Sequence, residues 1–124
     1  MSTFENLPLT KQLRNAIEEL GFAKPTPIQE QSFPVVRSGA DVVGIAQTGT
    51  GKTLAYMLPI LQDIKFQKID TPRVLVLVPT RELVLQVVER IEEFAKYMNV
   101  RVVGVYGGTN INTQKKACAQ GVDI

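Results

Sequence analysis

The sequence predicts an α/β domain in which a parallel sheet is flanked by helices. Two observations carry that expectation. Segments of helical periodicity alternate with short apolar runs rich in β-branched residues, and Gly, Pro, Asn and Thr punctuate the changeovers. Each β-branched run is separated from the next by a helical pattern, so the connections are right-handed crossovers, and ligands bind beyond the carboxyl ends of such strands.

The elements follow in order. Leu13, Ala16, Ile17 and Leu20 recur at helical spacing before Gly21, giving an amphipathic helix from about Thr10 to Leu20. Thr26, Pro27 and Gln29 supply the N-cap, first-turn proline and third-position amide of a capping box. They open a helix that ends near Gly39 and is bent by Pro34. Residues 42–45, 74–78 and 102–105 read as strands buried on both faces. A helix from about Gly51 to Leu61 has Pro59 disturbing its end, and another from about Arg81 to Met98 aligns Leu83, Val87, Ile91 and Phe94 on one stripe. A shorter helix runs from Asn110 to Ala119, and Gly121-Val122-Asp123-Ile124 reads as the opening of a fourth strand.

Composition narrows the chemistry. The chain has 124 residues, 14 Lys+Arg against 12 Asp+Glu, a formal net charge of +2, one Cys and no His. Imidazole catalysis, His-containing metal sites, an internal disulfide and a thiolate zinc cluster are thereby excluded, leaving Lys, Arg, Thr and carboxylates. No apolar run approaches the ~18 residues of a membrane span and the amino terminus lacks a signal-peptide pattern, so the expected address is cytoplasmic and no membrane partner is expected. So mild a charge balance neither demands nor forbids nucleic acid.

Directly after the first strand stands Ala46-Gln47-Thr48-Gly49-Thr50-Gly51-Lys52-Thr53, a phosphate-binding loop with Ala46 at the position usually occupied by Gly. Gly49 and Gly51 permit backbone conformations closed to other residues, so successive N–H groups and the following helix start can surround a phosphate. Lys52 belongs against the β and γ phosphates and the Thr53 hydroxyl on the bridging Mg²⁺. The plainer alternative is a glycine-rich turn with a solvated lysine, which the strand-loop-helix context disfavours.

At Pro79-Thr80-Arg81 a strand ends and a helix begins, so Thr80 and the first helical N–H groups can hold an anion while Arg81 adds charge. A capped helix with a solvated Arg81 is the plainer alternative. Gly107-Gly108 would let a nucleic-acid backbone approach closely, or form an ordinary turn. Lys115-Lys116 and Cys118 read as a solvated helix face and a small partly buried residue.

Gly21-Phe22-Ala23-Lys24-Pro25-Thr26-Pro27-Ile28-Gln29, with Phe4 standing 17 positions before Gly21, precedes the loop, and Pro79-Thr80-Arg81-Glu82-Leu83-Val84-Leu85-Gln86 and Gly107-Gly108 follow it. In this order the motifs resemble those of the DEAD-box RNA helicases: a Q motif, motif I, motif Ia and a glycine doublet, spanning essentially the whole chain. The resemblance implies a RecA-like fold, ATP and Mg²⁺ as cofactors and RNA as partner. It implies that residues 46–53 hold the phosphates, that Gln29 hydrogen-bonds the adenine edge, that Phe4 contacts its face, and that Phe22 and Thr26 position the segment. Gln29 also reads as the capping residue of its own helix, and Phe4 as an apolar packing residue. Thr80, Arg81, Gly107 and Gly108 would meet the RNA backbone.

On this resemblance residues 1–39 form a helical segment with the Q motif and residues 40–124 a partial RecA-like domain, cut before the acidic-box strand. The acidic box, the Ser-Ala-Thr motif and a second RecA-like domain lie outside it, so the chain is expected to bind without hydrolysing ATP, and to expose a sheet edge that promotes self-association. A non-catalytic adenine-nucleotide or RNA-binding module is the second reading, and a small P-loop kinase or other NTPase the third.

Overall fold

The computed structural model describes residues 3–47, 49, 51–65 and 71–124. A short 3₁₀ turn at Phe4–Asn6 leads into five helices: α1 Lys11–Glu19, α2 Pro27–Arg37, α3 Lys52–Asp63, α4 Arg81–Phe94 and α5 Ile111–Ala119. Their starts follow local chemistry. Thr10 and Thr80 accept hydrogen bonds from Leu13 N and Leu83 N, and Asn110 accepts from Asn112 N. Helix α2 opens on Thr26 and Pro27, with the Gln29 side chain accepting from the Thr26 N–H at 2.9 Å.

Helices α2 and α3 pack closely, and α4 rests against α1 and α3. Their shared core holds Leu13, Ile17, Phe33, Met57, Leu58, Leu61, Ile91 and Phe94. Pro59 is fully buried inside α3, which continues past it to Asp63 rather than failing near Leu61. A proline at 59 leaves the carbonyl of Ala55 without its helical donor. The Ser32 hydroxyl of α2 donates to that carbonyl at 3.2 Å, so the defect is repaired by the neighbouring helix.

Helix α4 stops at Phe94, four residues short of the expected Met98, because Ala95 leaves helical geometry at φ −92°, ψ 16°. Met98 N then bonds Ala95 O at 2.9 Å, and this turn returns Met98 to the core. The apolar stripe is kept although the helix is not.

No described residue belongs to a regular strand, and residues 42–45, 74–78 and 102–105 run as extended segments. Pairing begins through residues 122–124: Arg73 N and Val74 N donate to Asp123 O, Asp123 N and Ile124 N donate to Arg101 O, and Val103 N donates to Ile124 O. The last two bonds have the alternation of parallel neighbours. The expectation of burial on both faces is corrected. Val43, Ile45, Leu75 and Leu77 are each more than four-fifths exposed. Alternate residues of an extended chain point to opposite faces, and the helical layer covers only one of them. On the covered face the packing is close: a Cβ placed on Gly104 would come within 2.9 Å of both Val84 and Val88 of α4.

Asp123 fixes the pairing. Asp123 is 1% exposed and receives both arginines that flank it: Arg73 Nη2 at 2.9 Å, Arg101 Nε and Nη2 each at 3.2 Å, and the Arg101 backbone N–H at 2.9 Å. Ahead of Ile124, residues 74–78 and 102–105 flank an apolar slot of about 350 Å³ floored by Val84, Val87 and Ile91. Among the described residues no helix is long and apolar enough to cross a membrane.

Candidate nucleotide site and nucleic-acid face

Glycine builds the loop ahead of α3. Gly49 and Gly51 adopt φ 83° and 77°, the left-handed region that costs other residues a Cβ clash. Gly51 is the cap residue of α3 and, as a glycine, brings no capping side chain of its own. The first N–H groups of α3 and the positive end of its dipole can therefore receive an anion. Lys52 is exposed and its ammonium donates to Ala46 O at 2.7 Å, lying back across the first residue of the loop. Thr53, half-buried, follows on the first helical turn, and Gln47 is exposed. Thr48 and Thr50 lie outside the described residues.

Gln29 ties the preceding helix to this loop. It is 2% exposed; its Oε1 accepts from Thr26 N–H at 2.9 Å and its Nε2 donates to Gly51 O at 3.1 Å. A donor on one side and a carbonyl on the other fix which end of the amide is which. Each end retains a further position, since a primary amide offers two donors and its oxygen two acceptor sites. The Thr26 hydroxyl oxygen beside it is buried without a hydrogen-bond partner. A Cβ on Gly51 would collide with Gln29 Nε2, so glycine there serves both the left-handed turn and the close approach of the amide.

Phe4 and Phe22 share a cavity. Phe4 is 5% exposed within the core, whereas Phe22 lies partly in solvent and meets Phe94 edge-on with ring centroids 6.2 Å apart. Arg14, Ile17, Glu18 and Gly21 also line the cavity, and among the described residues neither Thr26, Gln29 nor the loop contributes.

The residues of the second cluster converge. Thr80 Oγ1 accepts from Leu83 N–H at 3.2 Å, which leaves its own hydrogen free to donate. The Arg81 guanidinium sits 5.0 Å from the centroid of the Tyr106 ring, and a Cβ on Gly108 would lie 3.9 Å from Arg81 Nη1. Gly108 takes φ 83° and Gly107 has open space where a side chain would stand. Thr80, Arg81, Gly107 and Gly108 thus share one exposed surface, held from behind by Gln114. That amide accepts from Tyr106 N–H at 2.8 Å and donates to Tyr106 O at 3.0 Å and Thr109 Oγ1 at 2.8 Å. Sequence reading missed Tyr106 and Gln114, because a partly buried aromatic after a strand and a polar residue on a short helix carry no motif.

Comparison with known proteins places the chain in a family. The family model described as DEAD/DEAH box helicase matches residues 26–124. The chain is 44% identical over 124 residues to the ATP-dependent RNA helicase DeaD of Escherichia coli K12, covering 99% of this chain and 20% of that one. It is 42% identical to DEAD-box ATP-dependent RNA helicase 45 of Oryza sativa subsp. japonica, covering 100% and 14%. The chain therefore spans at most about a fifth of the length of these relatives. Among solved structures it resembles the RNA helicase Prp28 from Chaetomium thermophilum bound to ADP, with TM-score 0.88, 36% identity and coverage of 100% and 31%. It also resembles a DEAD box protein from Methanococcus jannaschii, with TM-score 0.86, 32% identity and coverage of 99% and 34%. These neighbours share the α/β, RecA-like arrangement expected from the sequence, and the chain belongs to the DEAD/DEAH box helicase family.

Proposed function

We infer that this chain is the ATP-binding and RNA-contacting part of the first RecA-like domain of an ATP-dependent RNA helicase. Residues 1–39 carry the Q motif in this reading, and residues 40–124 begin a parallel sheet in which the three extended segments are strands. The observation that carries it is the glycine-built start of α3 joined through Gln29 to the segment holding Thr26.

The residues present fit a nucleoside triphosphate. Residues 46–53 surround the phosphates through backbone N–H groups, and Lys52 exchanges its bond to Ala46 O for phosphate oxygens. The spare hydrogen-bonding positions of Gln29 match an adenine edge, and the unpartnered Thr26 hydroxyl offers one more. In this reading Phe4 contacts the adenine face and Phe22 positions the segment. Among the described residues no three acidic, His or Cys side chains converge to hold a metal. An Mg²⁺ ion would accordingly rest on Thr53, phosphate oxygens and water, and it supplies charge neutralisation across the phosphates. Thr80, Arg81, Gly107 and Gly108 receive the RNA phosphates. Hydrolysis coupled to RNA or ribonucleoprotein remodelling, and a cytoplasmic setting, are proposed for the whole protein; this part is expected to bind without turning over.

Titration calorimetry tests the adenine reading. ATP should bind at least about tenfold more tightly than GTP, since a guanine edge presents the wrong donor and acceptor order to Gln29 and leaves it unpaired. Equal affinities would remove the base-recognition role while leaving the phosphate site intact.

A further inference from the structure

Among the described residues, no main-chain bond outside the helices reaches Tyr106, Gly107, Gly108 or Thr109. Gln114, one turn into α5, holds this segment through its side chain. Its amide pairs with both the N–H and the C=O of Tyr106, as a neighbouring strand residue would, and its second hydrogen reaches Thr109. Tyr106 in turn carries the Arg81 guanidinium on its ring, and Gly108 lies beside the same guanidinium.

We propose that Gln114 is a positioning residue for RNA binding: by clamping the Tyr106 main chain it sets the glycine doublet and Arg81 in register as one phosphate-binding surface. The inference rests on the RNA reading of that surface. Gln114 need not touch RNA. It sits behind the loop with both ends of its amide already engaged, and its effect passes through the Tyr106 ring to Arg81 and through Thr109 to the loop. Both donor and acceptor are required, since the N–H of Tyr106 needs an oxygen and its carbonyl needs an N–H.

The test uses the 124-residue chain, a fluorescently labelled single-stranded oligouridylate and anisotropy at several salt concentrations. Gln114→Ala should weaken RNA binding about tenfold and lower the salt slope of the affinity by about one, although it removes no charge, because Arg81 is no longer presented to a phosphate. Arg81→Ala should do the same, and the double variant should be little worse than either single one. Gln114→Glu keeps the length and one acceptor but loses the donor to Tyr106 O. It should bind RNA as weakly as Gln114→Ala, and it serves where the alanine variant folds poorly. ATP affinity should be unchanged in each. If Arg81→Ala weakens RNA binding and Gln114→Ala leaves affinity and salt slope alone, the positioning role is overturned and the RNA surface stands. Additive losses in the double variant overturn it equally. If neither Arg81→Ala nor Gln114→Ala alters RNA binding, the RNA reading itself fails and takes this role with it.

Discussion

Asp123→Asn lowers the stability of the chain by about 3 kcal/mol, the range found when one partner of a buried ion pair is removed. The carboxylate joins two segments through side-chain charge: Arg73, 50 positions away, and Arg101, 22 positions away. Asparagine keeps the shape but leaves two partly buried guanidinium groups facing each other with one acceptor oxygen between them. The Asp123 main chain also carries the pairing to both neighbours, so loosening the side chain loosens the beginning of the sheet. Thermal melting should fall by roughly 10 °C. The pH dependence has a defined sign. Burial pushes the Asp123 carboxyl up, but the side-chain and backbone hydrogen bonds from Arg101 and the bond from Arg73 outweigh it and hold the group at about 2. Its unfolded value is near 3.9, so the contribution is present above about pH 4 and is lost as pH falls through 4 toward 2. Wild type should lose about 2 kcal/mol across that window relative to Asp123→Asn, whose stability lacks this titration. Parallel acid curves for the two proteins would show that the clamp contributes no net stability.

Local signals in the sequence account for the helices. Thr10, Thr26, Thr80 and Asn110 all stand as N-caps where capping chemistry places them, because a cap is decided within three or four residues. The end of α4 was not legible. The stripe of Leu83, Val87, Ile91 and Phe94 continues to Met98 in the sequence, but the chain leaves the helix at Ala95 and returns Met98 to the core through a turn. Pro59 was legible as a defect, and its repair by Ser32 was not, since the donor belongs to another helix 23 residues from the carbonyl it meets.

The same division holds for the site. Positive φ at Gly49 and Gly51 is a local demand that the loop pattern announces. Gln29 reads from sequence as either a capping amide or a base-recognising one. The structure adds a second partner, Gly51 O, which is 22 residues away and turns the cap into a link between the two motifs. The face of each extended segment left bare could not be told from its apolar run either, because a run of β-branched residues reads the same whether one face is covered or both.

Lys52→Ala should weaken ATP binding by about 10- to 100-fold, the equivalent of one charge-assisted hydrogen bond to a phosphate of about 1.5–3 kcal/mol. The loss should appear almost wholly in affinity. Lys52 is exposed, and its ammonium is held by one carbonyl, Ala46 O at 2.7 Å, so its removal costs the fold little, within about 0.5 kcal/mol. Calorimetry and thermal melting on the same preparation therefore separate the two contributions. The Ala46 contact adds a second consequence. The ammonium must leave that carbonyl to meet phosphate, so part of its attraction for the ligand replaces an existing hydrogen bond, which favours the lower part of the range. Lys52→Arg should recover little of the loss, because a planar fork cannot place its charge where a compact ammonium fits among converging N–H groups. Unchanged ATP affinity in a folded Lys52→Ala protein would show that the helix start and its glycines bind phosphate by dipole and backbone alone, and would withdraw the charged role from Lys52.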